Sequence, residues 1–120
     1  MVKVLIDTCV LVDHLNGRPE AHAEIASHVH PAISRLTWME VLAGAPDHAI
    51  AATRRYLDGY EVVEIGESVA EIAASIRRNS DIGLGDALTM ACARAIGGVL
   101  VTRNKAVFTD ADPAVRIPYE

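Results

Sequence analysis

The chain contains few of the residues that mark disulfide scaffolds, zinc sites and membrane spans. Its two cysteines, Cys9 and Cys92, lie in apolar stretches without a Cys-x-x-Cys pattern, which predicts two reduced, buried thiols. No apolar run approaches the roughly 18 residues of a membrane span, and Asp7 interrupts the first such run too early for a signal peptide. We therefore expect a cytoplasmic protein with no membrane segment.

Aromatic residues, clustered histidines and excess positive charge are also lacking. Aromatics make up 4% of the chain, so the core must be built from small aliphatic side chains. The histidines are scattered over the first half with no zinc-ligand spacing. The net charge of -5 disfavours nucleic-acid binding, because proteins that contact phosphates are usually basic. That objection weakens if acids surround a divalent cation, or if a basic partner covers them.

The 120 residues, 51% of them apolar, fit a single domain, 1–120. Strands are predicted at 2–6, 32–36, 60–65, 99–102 and 115–117. Helices are predicted at 9–15, 19–27, 37–43, 46–57, 68–78 and 86–96. Strands that alternate with helices indicate an α/β fold, a three-layer sandwich in which a parallel sheet of about five strands carries helices on both faces.

Several polar residues follow predicted strands. Asp7 ends the first strand, Glu40 falls in the first turn of the helix after the second, and Asn104 follows the fourth. The carboxyl ends of parallel strands share one edge of the sheet, where ligands bind. The helix before Asp86 is expected to run away from that edge. Asp86 therefore reaches the edge only if the loop 79–85, seven residues that span roughly 23 Å when extended, runs back alongside this helix.

Converging carboxylates would repel one another unless a cation lay between them. Mg²⁺ and Mn²⁺ prefer such oxygen ligands, and they activate water for attack on phosphate esters. Each acid also has a structural explanation. Asp7 fits a helix N-cap, Thr37 and Glu40 match a capping box, and Asp86 would favour a helix dipole.

The remaining charged and large apolar residues are predicted to have simpler roles. Arg103 and Lys105 follow the fourth strand and are therefore candidates for phosphate contacts. Trp38 and Met39 are interpreted as core or dimer contacts. Surface or loop positions are predicted for Asp13, Asp47, Asp58 and Asp81, and exposed helix faces for Arg54, Arg55, Arg77 and Arg78.

Four segments in order resemble the motifs of the PIN-domain family. They are 4–12 (VLIDTCVLV), 34–44 (SRLTWMEVLAG), 85–93 (GDALTMACA) and 100–104 (LVTRN) with Phe108. They span nearly the whole chain, and its compact length is similar to that of the VapC-type toxins of bacterial toxin–antitoxin pairs.

This resemblance implies a fold, an activity and partners. The fold would be a five-stranded parallel sheet flanked by helices. The activity would be Mg²⁺- or Mn²⁺-dependent endonucleolytic cleavage of RNA, in which an activated water attacks phosphorus and leaves a 5′-phosphate. Asp7, Glu40 and Asp86 would be the metal-binding acids. The protein would be a homodimer, inhibited by a cognate antitoxin whose basic residues complement these acids.

The fourth motif departs from the family pattern, which carries an Asp near the Phe. Val107 precedes Phe108 here, and Asn104 is the remaining polar candidate. This argues against a second metal ion, unless Asp110 or Asp112 substitutes. Thr8 and Thr102 are candidates to hydrogen-bond the acids.

Two alternatives stay open. The neutral Asn104 would suit a catalytically inactive PIN-like domain that serves as a binding module. A phosphoacceptor domain of the response-regulator type has a similar length and fold class. It would need an acceptor Asp after the third strand, where Gly66-Glu67-Ser68 stands instead.

Overall fold

The structure, a computed structural model, describes residues 2–120. Pairs of helices separate the first four strands along these residues, and the fifth strand follows the fourth without a helix between them. The strands are β1 (Val4–Ile6), β2 (Ala32–Ser34), β3 (Glu61–Val63), β4 (Val99–Val101) and β5 (Val115–Arg116). The helices are α1 (Thr8–Leu15), α2 (Pro19–Ala26), α3 (Arg35–Ala43), α4 (Ile50–Asp58), α5 (Glu67–Asn79) and α6 (Leu84–Ala95), with a short 3₁₀ turn at Asp47–Ala49.

The strands form one parallel sheet in the order β3-β2-β1-β4-β5. Side chains along β1 point alternately to opposite faces. Leu5 packs with α5 and α6 on one face, whereas Val4 and Ile6 pack with residues of α1 to α4 on the other. The predicted three-layer α/β sandwich is therefore confirmed, with a core made mainly of small aliphatic residues. The strand order also differs from the 2-1-3-4-5 order of response-regulator domains, so the phosphoacceptor alternative is wrong.

The boundary between β2 and α3 lies earlier than predicted. The side chain of Ser34 accepts a hydrogen bond from the Thr37 backbone N–H at 3.0 Å and caps the helix. This cap ends β2 at Ser34 and starts α3 at Arg35. Glu40 therefore lies in the second turn, and the predicted capping box between Thr37 and Glu40 is wrong because Thr37 is already inside the helix.

The link between α5 and α6 brings Asp86 to the carboxyl edge of the sheet. It has four residues, 80–83, rather than the predicted seven, because both helices extend further than expected. Arg94, in the last turn of α6, lines a surface pocket with Ser75, Asn79 and Ser80 at the end of α5. The two helices therefore run in the same direction, and the link runs back alongside α6 from the end of α5 to the start of α6.

No helix within residues 2–120 is both long enough and apolar enough to cross a membrane.

Candidate active site

A cavity of about 660 Å³ opens at the carboxyl ends of β1 and β4. The chain order reverses between these neighbouring strands, since β2 and β3 lie on one side of β1 and β4 and β5 on the other. Ligands of open α/β sheets bind at such switch points. All predicted site residues except Thr102 and the possible substitutes Asp110 and Asp112 are among the lining residues. These are Asp7, Thr8, Cys9, Val12, Glu40, Gly85, Asp86, Thr89, Arg103, Asn104, Lys105 and Ala106.

Asp7 is the most tightly held of the acids. Its Oδ1 accepts the Thr8 backbone N–H at 2.8 Å, and its Oδ2 accepts the Thr102 hydroxyl at 2.7 Å. The residue is 9% exposed, and this burial raises the pKa of its carboxyl. The two hydrogen bonds oppose the rise, and the nearby charge of Asp86 adds to it. Asp7 caps α1, so the N-cap explanation is correct, and the same carboxylate also lines the cavity.

Glu40 is exposed and is oriented by a row of hydroxyl groups. The Thr8 hydroxyl donates to Glu40 Oε1 at 3.0 Å and lies 2.9 Å from the Thr37 hydroxyl. Thr37 is buried and in turn accepts from Ser34 at 3.2 Å. Because the Thr8 hydroxyl donates its proton to Glu40, the Thr37 hydroxyl donates to the hydroxyl oxygen of Thr8. This chain of hydroxyls couples the start of α3 to the start of α1.

Asp86 is half-buried in the first turn of α6, where the sequence predicted it. It shares the cavity lining with Asp7 and Glu40. Among residues 2–120, however, no three His, Cys, Asp or Glu side chains are grouped tightly enough to hold an ion. The three acids therefore surround a common space without forming a closed cage.

The loop after β4 contributes Asn104 to the cavity. Its backbone N–H donates to the Thr102 hydroxyl oxygen at 3.0 Å, which ties the loop to the same hydroxyl that holds Asp7. Asp110 and Asp112, both within the described chain, are not lining residues. Asp110 is exposed, and Asp112 accepts the Ala114 N–H at 2.9 Å in a turn. Asn104 is therefore the polar side chain that the fourth motif supplies.

Both basic candidates are paired, and Arg103 is held the more firmly. Its Nε and Nη2 donate to Asp13 at 2.7 and 3.0 Å. Asp13 also accepts the Tyr119 hydroxyl at 2.8 Å. Lys105 is exposed at the cavity and pairs with the exposed carboxylate of Glu120. Lys105 is thus the more available cation, and the prediction that Asp13 is a solvated surface acid is wrong.

Sequence reasoning also missed the position of Cys9. Its thiol lies 3.8 Å from Asp7 Oδ2 and 3.7 Å from the Thr102 hydroxyl, and it lines the cavity. Burial and the charge of Asp7 raise the pKa of this thiol. Only Cys92 fits the prediction of a buried thiol, because Cys9 is half-buried. The signal available in the sequence was its place two residues after Asp7, in the first turn of α1.

The remaining predictions for charged and large apolar residues were confirmed only in part. The four arginines are exposed as predicted, and so are Asp47 and Asp81. Asp58 is exposed but accepts the Trp38 indole N–H at 3.2 Å. Trp38 packs beside the core on the α1–α4 face, whereas Met39 is 46% exposed.

Comparison with known proteins identifies several relatives of this chain. A family model described as PIN domain matches residues 4–112. Ribonuclease VapC19 of Mycobacterium tuberculosis is 31% identical over 109 residues, which cover 83% of this chain and 87% of the relative. A solved toxin–antitoxin complex from Klebsiella pneumoniae contains a chain 35% identical, with a TM-score of 0.92 and coverage of 98% and 99% of the two chains. A DNA-bound VapBC structure from Salmonella typhimurium, at 23% identity and a TM-score of 0.76 over 87% of this chain and 88% of that one, shares the fold.

Proposed function

The chain belongs to the PIN-domain family, and from that premise we propose that it is a Mg²⁺- or Mn²⁺-dependent endoribonuclease, the toxin of a toxin–antitoxin pair. The observation that carries the proposal is the convergence of Asp7, Glu40 and Asp86 on one cavity at the switch point of the sheet. The similarity to a ribonuclease at 31% identity supports RNA as the substrate. Since RNA is the substrate, the cytoplasm is the proposed place of action.

The residues of the cavity suit a hard divalent cation. The carboxylates and the Asn104 amide offer oxygen ligands, which Mg²⁺ and Mn²⁺ prefer. The Asp86 charge contributes to the raised pKa of Asp7, and a cation between the two carboxylates would offset that repulsion. Asp7, Glu40 and Asp86 are the proposed ligands. When bound, such an ion polarises a phosphate oxygen and lowers the pKa of water.

The chain's own groups then hold the reacting parts in place. Thr102 and the Thr8 N–H fix both oxygens of Asp7, so this carboxylate cannot rotate away from the cavity. Thr8 and Thr37 hold Glu40 through the row of hydroxyls. Asn104, tied to Thr102 through its backbone, offers an uncharged amide that can orient water or a phosphate oxygen. This rigidity supplies the orientation that in-line attack on phosphorus requires.

An antitoxin and a second copy of the chain are the proposed protein partners. A second cavity of about 420 Å³ shares Val12 and Glu40 with the first, and continues it along an apolar wall that includes Leu15, Val41 and Pro46. A partner segment with apolar side chains and a basic residue would fit both. The homodimer is supported by exposed apolar residues, among them Met39, Ile50 and Leu84.

A cleavage assay tests the activity. The protein, freed of any partner, is incubated with total RNA and Mg²⁺ or Mn²⁺, beside an EDTA control. The variant Asp7→Asn removes the charge and keeps the helix cap, because Asn is an equally good N-cap residue. Asp110→Asn, at an exposed position outside the cavity, is the matched control.

We expect discrete fragments with 5′-phosphates from the parent protein and from Asp110→Asn. No fragments should arise with EDTA or from Asp7→Asn, Glu40→Gln and Asp86→Asn. Near-normal cleavage by any of these three variants would show that the site is assigned wrongly.

The second candidate is an inactive PIN-like binding module, which the neutral Asn104 favours. It predicts that folded, partner-free protein binds RNA but cuts none with either metal. Replacement of Asn104 by Asp would then be the test of whether a missing charge is the cause, and restored cleavage would support this candidate.

A further inference from the structure

Two histidine side chains meet outside the acidic cavity. His14 lies in the last turn of α1 and His22 lies on α2. His14 Nε2 and His22 Nδ1 are 3.2 Å apart, although the residues are eight positions apart in the chain. His14 is half-buried and His22 is exposed, so the point between the two nitrogens is accessible from solvent.

The far side of the His14 ring is held by two tyrosines. Its Nδ1 lies 2.6 Å from the Tyr56 hydroxyl, which lies 2.7 Å from the Tyr60 hydroxyl. If Nδ1–H donates to Tyr56, and Tyr56 donates to Tyr60, the lone pair of His14 is on Nε2. That lone pair then faces His22. Metal-binding histidines are oriented in this way by a hydrogen bond at their second nitrogen.

The spacing of the two nitrogens matches a metal site. Two imidazole nitrogens bound to a tetrahedral Zn²⁺, each about 2.0–2.1 Å from the ion, are about 3.3 Å apart. Imidazole ligands suit Zn²⁺, Ni²⁺ and Cu²⁺, whereas Mg²⁺ prefers oxygen. Both imidazoles would bind such an ion in their neutral form.

We propose that His14 and His22 form a second metal site, which takes a Zn²⁺, Ni²⁺ or Cu²⁺ ion and joins α1 to α2. Among residues 2–120, no third His, Cys, Asp or Glu completes the group, so water fills the other positions. Tyr56, on α4, is a positioning residue that orients His14. This site is independent of the proposed ribonuclease activity, because none of its residues lines the acidic cavity.

Zinc titration by calorimetry tests the proposal with the full chain, in excess Mg²⁺. His22→Gln removes the imidazole and keeps a polar side chain of similar length at an exposed position. His30→Ala, at an exposed position elsewhere, is the matched control. Zinc taken up by the acidic cavity is common to all three proteins and cancels in the comparison.

We expect the parent and His30→Ala to bind one more equivalent of Zn²⁺ than His22→Gln. Tyr56→Phe should keep that equivalent with an affinity lowered about 10–100-fold. Imidazole ¹⁵N spectra provide a second readout, in which His14 Nε2 and His22 Nδ1 should shift together on zinc addition. Equal zinc uptake by the parent and His22→Gln, or shifts confined to other histidines, would overturn the proposal.

Discussion

The Thr102 hydroxyl at the end of β4 donates to Oδ2 of Asp7 at the end of β1 over 2.7 Å, across 95 positions of the chain. Both residues are buried. This single contact joins the two strands at the switch point and fixes the orientation of the most buried acid in the proposed site. It is therefore the contact whose removal should be most informative.

Thr102→Val should lower both the free energy of unfolding and the rate of RNA cleavage. Valine has the same shape but removes the hydroxyl that donates to Oδ2 of the buried Asp7 carboxylate, and a hydrogen bond to a charged group contributes about 1.5–3 kcal/mol. We expect the free energy of unfolding in urea to fall by that amount. Thr102→Ser keeps the hydroxyl and should retain most of the stability and of the cleavage rate. If Val and Ser variants behaved alike, the hydroxyl would not be what orients Asp7.

Asp13→Asn should strengthen the salt dependence of RNA binding. The substitution weakens the hold on Arg103, whose guanidinium borders the cavity, and frees a cation for phosphate. One added phosphate contact to a single strand makes the slope of log K against log salt more negative by about 0.7. Fluorescence anisotropy in an Asp7→Asn background, where RNA stays intact, measures the slope. The exposed Asp47→Asn should leave it unchanged, and an unchanged slope in Asp13→Asn would mean that Arg103 stays out of reach of RNA.

Lys105→Ala should have the opposite effect on the same slope. Lys105 is exposed at the cavity, and its partner Glu120 is itself exposed, so RNA phosphate can displace that pair at small cost. Loss of one contact should make the slope less negative by about 0.7 and raise KM more than it lowers kcat. The comparison is Lys3→Ala, an exposed lysine just before β1 and outside the cavity lining. Equal effects of the two substitutions would show that the slope depends on the overall charge of the protein and not on a phosphate contact made by Lys105.

Glu24→Gln should destabilise the fold in a pH-dependent way. Glu24 on α2 is buried, and both its oxygens accept from Arg116 of β5 at 2.8 Å. The Arg116 guanidinium and His28 hold the pKa of this carboxyl below its usual 4.5, against the effect of burial. A lowered pKa in the folded state adds stability that is complete above pH 4.5 and is lost as the pH falls through the folded pKa.

At pH 7 the Gln variant should therefore be less stable than the parent by about 1.5–3 kcal/mol, the contribution of a hydrogen bond to a charged group. Urea unfolding should show the difference shrinking as the pH falls below 4.5. A difference of constant size down to the acid limit would point to lost packing instead of lost charge.

The order of the elements and the acids of the proposed site were predictable because they depend on local patterns. The apolar run at Val4–Ile6, the Ala-rich helix after Asp86 and the glycines that end helices are each recorded within a few neighbouring residues. Parallel strands then require their carboxyl ends to share an edge. That rule alone directed Asp7, Glu40 and Asn104 to one place. The predicted end of β2 was two residues too late, because the Ser34 cap already starts α3 at Arg35.

Pairings between distant residues were decided by the tertiary structure. The sequence predicts Arg103 as a phosphate contact, but α1 packs beside the loop after β4 and pairs Arg103 with Asp13. The sequence predicts a buried thiol for Cys9, but the first turn of α1 faces the cavity and places Cys9 in its lining. His14 and His22 meet only because α1 and α2 pack against each other. Periodicity tells which face of an element is apolar, but the hydrogen-bond partner of a side chain depends on how elements far apart in the chain dock together. The sequence by itself therefore determined which acids share an edge, and the fold decided which of their neighbours hold them there.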